Sequence, residues 1–281
     1  MDGSQGIEVS DSGILTPTTA ARANKARSFK ILGTSADDVS CHPHVLSPPA
    51  MESLVAFVPD TLTLETNHHW WLKYSLVRDG ASLWQLLRQV RASTNSILAI
   101  ETTDGHVLGS FTTQSWRYSS GWYGSKDSFL WKMRQSRSAV ATTARSVVQQ
   151  ACQEGEIQVF PYRAGNVAVQ YCSKENLMLG QGELLPVSLP GQHFGYGLSL
   201  DANLRKGSTS TSETFGNPCL VDVGQRGARF EIANIEVWTL TPHAAVEEAE
   251  QSELSTLFLE SGRSSNDKKL NVLGILVGGP I

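Results

Sequence analysis

The side chains able to do chemistry in this sequence are thiols, imidazoles and carboxylates, and few of them fall at a useful spacing. Cys41-His42-Pro43-His44 puts one thiol and two imidazoles within four residues. A structural zinc site needs four ligands at tetrahedral angles, usually from two separated pairs. No second pair follows here, so no metal and no cofactor is expected. The other cysteines are Cys152, Cys172 and Cys219. None of the four has the two-residue spacing of a zinc knuckle or redox pair, and no secretory leader is read ahead of them, so they are taken as reduced thiols. A thiol that reacts with peroxide needs a lowered pKa beside a cation. Cys172 has Lys174 nearby, yet its place after the alternating Val167, Val169 and Tyr171 favours a structural role. No nucleophile-elbow string accompanies the many Ser and Thr residues, and the run 208–214 reads as a polar loop.

Two carboxylates stand out. In Gly180-Gln181-Gly182-Glu183 the glycines allow a tight backbone that could hold the Glu183 carboxylate in one place. Glu236 lies between Ile235 and Val237 on a strand pattern and must point opposite to them. It is either solvated or turned inward and paired, and Arg205 or Lys206 would then suit it. Asn217, following Phe215-Gly216, is expected to organise a turn through its amide. Trp238 is read as core. His68-His69 is read as a cap or surface feature. Trp116, Trp122 and Tyr123 are aromatic rings that a small-ligand site could use, although packing is the simpler reading.

The elements that must position these residues are mostly strands. A strand over 71–77, a turn at Asp79-Gly80-Ala81 and an N-cap at Ser82 lead into a helix over 83–92, with Leu83, Trp84, Leu86, Leu87 and Val90 as its apolar stripe. Asp104-Gly105 joins 96–101 to 106–112 as a hairpin. Further strands are expected at 128–133, 157–160, 167–171, 195–200 and 229–240. Many short strands with Gly-rich turns and no regular alternation with helices imply a two-sheet antiparallel β-sandwich, mainly β with a few helices. The stretch 138–155 reads as a helical insertion. Pro242 to Ser261 reads as a C-terminal helix, with Glu247, Glu248, Glu250 and Glu253 early in it, and a tail runs to residue 281.

Residues 1–50 are rich in Ser, Thr, Ala, Asp and Pro without apolar period, and are expected to be disordered. That leaves a domain over 51–241 and a C-terminal piece over 242–281. The formal net charge of −4 argues against a nucleic-acid partner. No run reaches the roughly 18 apolar residues of a membrane span. A cytoplasmic location is expected. A vacuolar or other endomembrane surface, reached through a partner, and a mitochondrial location are the alternatives.

Several strings in this order resemble the TLDc domain. They begin with Trp71, Tyr74-Ser75 and Asp79-Gly80, then Ser82-Leu83 and Leu86-Leu87. Ile97-Leu98-Ala99-Ile100-Glu101, Gly105 to Phe111, Tyr123-Gly124 and Asp127-Ser128-Phe129-Leu130 follow. Asn176 to Glu183, Phe194-Gly195, Leu198 to Asp201, Thr214 to Asn217 and Ile235 to Trp238 complete the series over about 55–241. The sequence departs from that family in its insertion, in Gln181 within a Gly-rich string, and in Asp127 where Glu is common. The resemblance implies a two-sheet sandwich with a few helices and no agreed catalytic residues. It also implies protection from oxidative stress and regulation of the vacuolar proton-pumping ATPase through its subunits. Gly180, Gly182, Glu183, Asp201, Phe215, Gly216, Asn217, Glu236 and Trp238 are the binding or motif residues it singles out. A thiol-dependent antioxidant enzyme, or a small-ligand-binding sandwich, is the alternative.

Overall fold

A computed structural model describes residues 29–34, 44–63, 68–163, 168–182, 195–221 and 227–257. In chain order its elements are β1 (Ile31–Leu32), α1 (Pro48–Val55), α2 (Asp60–Thr63), β2 (His69–Ser75), α3 (Leu76–Asp79), α4 (Leu83–Val90), β3 (Ser96–Thr102) and β4 (Val107–Thr112). They continue with β5 (Phe129–Met133), α5 (Arg137–Thr143), α6 (Val147–Glu154), β6 (Ile157–Pro161), β7 (Gln170–Cys172), β8 (Asn176–Gln181), β9 (Tyr196–Asp201), β10 (Lys206–Ser210) and β11 (Gly227–Thr241). A last helix, α7, spans 246–257.

The strand β11 joins the two layers. Its first residues pair with β10, and its later ones lie between β2 and β3, so the hydrogen-bonded path runs β6-β5-β4-β3-β11-β10-β9-β8-β7. The fold is mainly β, and apart from the short parallel pair of β1 with β2 its ladders are antiparallel. The two halves face each other. Leu98, Ile100, Leu108 and Leu130 from one half share a core with Leu177, Leu179, Leu198 and Leu200 from the other. At Gly197 the layers come so close that an added Cβ would lie 2.7 Å from a Leu130 methyl. A side chain there would have to displace the Leu130 side chain and crowd the Asn217 amide.

A second core covers the other face of the β2–β6 layer. Because side chains alternate along a strand, Ile97, Ala99, Phe111, Phe129, Trp131, Trp238 and Leu240 point away from the sandwich interior. They pack against Val45, Leu46, Ala50, Met51 and Leu54. The layer is therefore buried on both faces, which explains why β3, β4 and β5 read as nearly continuous apolar runs. By contrast β8 and β9 alternate, with Leu177, Leu179, Leu198 and Leu200 inward and Asn176, Met178, Tyr196 and Ser199 partly open.

This second core corrects the expectation for residues 1–50. Ile31–Leu32 pairs with Trp70 and Trp71, and residues 44–50 run into α1, whose Ala50, Met51 and Leu54 are buried. Two prolines, Pro48 and Pro49, hid that helix in the sequence, yet proline is well suited to a first helical turn. Residues 1–28 and 35–43 lie outside the described residues.

Other expectations hold with shifted ends: the strand expected at 167–171 is β7 (Gln170–Cys172), and the helix expected from Pro242 starts at 246, residues 258–281 lying outside the described ones. Ser82 caps α4, its Oγ accepting from Gln85 N–H. Gly105 takes φ +81° in the β3–β4 hairpin. The region 138–155 is helical as α5 and α6. Two readings fail. Ser208–Ser210 is strand rather than loop, with Thr209 Oγ1 donating to the Gly197 carbonyl at 2.6 Å. Trp84 does not join the apolar stripe of α4: it is 58% exposed, while Leu83, Leu86, Leu87 and Val90 are buried. Among the described residues no helix is long and apolar enough to cross a membrane.

Candidate functional site

The strand β11 turns Glu236 toward the second core, on the same side as Trp238 and Leu240, and there it is 0% exposed. A buried carboxylate is costly unless its oxygens are hydrogen-bonded. Here one oxygen meets His44 Nδ1 at 2.9 Å. The other accepts from Val45 N–H at 3.0 Å, Leu46 N–H at 3.4 Å and Trp238 Nε1–H at 2.9 Å. Three N–H groups thus converge on that second oxygen. The His44 ring also meets Trp238 edge-on, at a centroid distance of 5.4 Å, and Trp238 does the same with Trp70 at 6.3 Å.

The opposite side of the same segment is held by Arg137, at the start of α5. Its guanidinium donates to the carbonyls of Val45 (2.6 Å) and His44 (3.2 Å) and to the Glu101 carboxylate at 2.8 Å. The Arg137 N–H donates to the Gly105 carbonyl. Residues 44–46 are thus fixed through their N–H groups by Glu236 and through their carbonyls by Arg137. Burial raises the Glu101 pKa, and this outweighs the neighbouring Arg137, which lowers it.

This arrangement corrects the expected partners of Glu236. Arg205 and Lys206 are not among them. Their backbone N–H groups donate instead to Asp201 Oδ1, closing the β9–β10 turn. Nor is His69 a surface group. It is buried, its Nδ1 accepts from Lys30 N–H at 3.0 Å, and burial followed by the Lys30 charge lowers its pKa. That bond fastens β1 to β2.

The motif residues Gly180, Gly182, Phe215, Gly216 and Asn217 form a separate cluster around the turn at 212–217. Asn217 is buried. Its Oδ1 accepts from Ser212 Oγ at 2.6 Å, and its Nδ2 donates to the carbonyls of Ser210 and Pro218. Thr214 Oγ1 accepts from Gln181 N–H and donates to the Ala168 carbonyl. Gly180 takes φ +68°, and an added Cβ would lie 2.6 Å from the Phe215 ring. An added Cβ at Gly182 would meet the Thr211 carbonyl at 2.5 Å. Gly216, at φ +60°, lies beneath the Arg163 guanidinium. The Gly-rich string and the Phe215–Asn217 string are therefore two halves of one packed joint, with Phe215 buried between them. Glu183 lies outside the described residues.

The thiols and aromatic rings also find their places. Cys172 is buried in the sandwich core, and burial pushes its pKa up to about 12. Cys219 is buried in the same core, and Cys152 is exposed on α6. Trp116 is core, its Nε1 donating to Ser96 Oγ. Trp122 is half-buried and tilted against Tyr171 and Tyr196 at 5.6 and 6.0 Å. Tyr123 hydrogen-bonds Arg117 through its hydroxyl. Among the described residues no three His, Cys, Asp or Glu side chains converge as a metal site.

A family model of the TLDc domain matches residues 40–241. The chain belongs to the TLDc-domain family. The matched span opens four residues before His44 and closes at the end of β11, so the family's extent includes the fastened segment that the sequence reading had placed outside the domain. Among relatives of this TLDc chain is oxidation resistance protein 1 of Kluyveromyces lactis, 29% identical over 202 residues, covering 69% of this chain and 74% of the relative. The protein of the same name from Yarrowia lipolytica is 29% identical over 201 residues, covering 69% and 72%. Nuclear receptor coactivator 7 of Gallus gallus is 28% identical over 172 residues, which is 60% of this chain and 15% of that protein.

His44 and Arg137 are the site residues that sequence reasoning missed. His44 was visible only as part of a rejected metal string, and Arg137 carried no signal, since two of its partners, the His44 and Val45 carbonyls, lie in a segment read as unpacked.

Proposed function

We propose that this TLDc chain acts in oxidative-stress resistance as a cytoplasmic protein-binding module rather than an enzyme, with subunits of the vacuolar proton-pumping ATPase as its partner. The stress role is supported by similarity to proteins named for oxidation resistance. The binding reading is supported by how two interior groups suited to chemistry, Glu236 and Cys172, are placed. Both oxygens of Glu236 are taken up by internal partners. The Cys172 thiol is held protonated by burial, the opposite of what peroxide chemistry needs. The reading places the chain's action on an exposed surface.

The helix α7 offers one such surface. It docks on its own domain through buried Ala249 and through Glu253, which bonds Lys73 Nζ at 2.7 Å and Ser93 Oγ at 2.8 Å. Glu247, Glu248, Glu250 and Leu254 are exposed on it.

The test is an affinity capture from native lysate with the full chain as bait, because truncation at residue 50 would remove the His44–Leu46 fastening. Immunoblots should show pump subunits retained by the full chain and lost when residues 242–281 are deleted. Absence of subunits across nucleotide and salt conditions removes the pump from the account.

A further inference from the structure

The outer face of α4 carries a pattern that the core does not need. Trp84, Arg88 and Arg91 fall at i, i+4 and i+7, so they form one stripe on the solvent side of the helix, and all three are exposed. Trp84 is turned out, with the Arg88 guanidinium over its ring, 5.6 Å from the centroid. The chain bears a net charge of −4, but no acid occurs between Asp79 and Glu101. Asp79 is itself engaged by Arg78 and the Ser75 N–H. The start of the helix is tied to the β9–β10 turn by Leu83 N–H to the Ala202 carbonyl, and that turn carries exposed Arg205.

Trp and Arg are the residue types that dominate binding energy at protein interfaces, because each joins a large contact area to a directional polar group. We infer that the Trp84–Arg88–Arg91 stripe is a docking surface for an acidic segment of a partner protein that places an apolar side chain on the Trp84 ring. The chain's acidic helix α7 contacts Ser93, just beyond α4, and Lys73 through Glu253. The stripe rests on the protein-binding reading above but not on the pump being the partner.

Fluorescence anisotropy of a labelled peptide of Glu and Leu at helical spacing, titrated with the full chain, tests this. Binding is expected at low salt, weakened by about 0.3 M NaCl, and weakened about tenfold or more by Trp84→Ala and by R88E/R91E. All three side chains are exposed, so both variants should keep the wild-type circular dichroism and Tm. Equal binding by either variant, or equal binding of a peptide with Lys in place of Glu, overturns the inference. So does sedimentation with phosphatidylserine vesicles in place of peptide binding, or a Trp84-dependent dimer in ultracentrifugation, since the occupant would then be a membrane or a second copy. Lost pump capture with intact, variant-sensitive peptide binding removes the pump and leaves the surface. Peptide binding indifferent to both variants removes the surface, whatever the pump assay shows.

Discussion

His44 and Glu236 lie 192 residues apart in the chain and 2.9 Å apart in the fold, joined where no solvent reaches the carboxylate. The bond closes the N-terminal segment over the second core, and the same carboxylate takes the N–H groups of Val45 and Leu46. Stability of this TLDc domain should therefore depend on residues ahead of α1.

Glu236→Ala removes both acceptor oxygens and leaves the Val45, Leu46 and Trp238 N–H groups without their buried partner. The expected cost is about 2–4 kcal/mol. Urea unfolding should show the midpoint falling with the slope unchanged. A loss under about 0.5 kcal/mol, the ordinary surface range, would mean that the carboxylate is not what fastens the segment.

Glu101 and Arg137 should respond unequally. Arg137→Ala strands the carbonyls of His44 and Val45 together with the Glu101 carboxylate, and should cost about 2–3 kcal/mol. Glu101→Gln should be far milder. Because the Glu101 pKa is raised in the fold, its contribution is fully present below the ordinary value of 4.5 and is lost as pH rises through the folded value. The wild type should therefore lose stability relative to Glu101→Gln as pH climbs from the acid side toward neutrality. Parallel stability curves for the two proteins would contradict this.

Thiol reactivity should rank by exposure. With the Cys172 pKa pushed up to about 12 and its side chain buried, iodoacetamide under native conditions should label Cys152 at least about a hundredfold faster than Cys172 or Cys219. Mass spectrometry of timed samples reads this directly, and rapid native labelling of Cys172 would reopen the thiol reading.

The joint between the Gly-rich string and the 212–217 turn should tolerate little change. Gly180→Ala meets the Phe215 ring at a positive φ, and Asn217→Ala strands Ser212 and the Ser210 and Pro218 carbonyls. Each should cost about 1–3 kcal/mol in thermal or urea unfolding. Neutral behaviour at both positions would show that the joint is not a packed unit.

Much of the fold was legible because its signals are local. Asp104-Gly105 declares the β3–β4 hairpin, Ser82 declares the start of α4, and alternation marks β9. What stayed hidden depends on tertiary context. A carboxylate on a strand shows its face but not its partner, so Glu236 was offered Arg205 or Lys206 when backbone N–H groups and His44 hold it. A Pro-Pro pair reads as linker until a core lies beneath it, as happened at α1. Trp84 entered the apolar stripe because residue type alone was counted; its neighbours on the solvent face, Arg88 and Arg91, give the better clue. The Ser/Thr run 208–214 read as a loop because hydroxyls look solvated until Thr209 and Thr214 are seen bonding inside the sandwich.

Survival of peroxide-treated cells that lack the endogenous protein, rescued with wild type or with a variant carrying serine at Cys41, Cys152, Cys172 and Cys219, tests the central claim most directly. A module that protects by binding predicts equal rescue by the two proteins at equal abundance. Loss of rescue by the folded cysteine-free variant would contradict it and place the protective chemistry on a thiol.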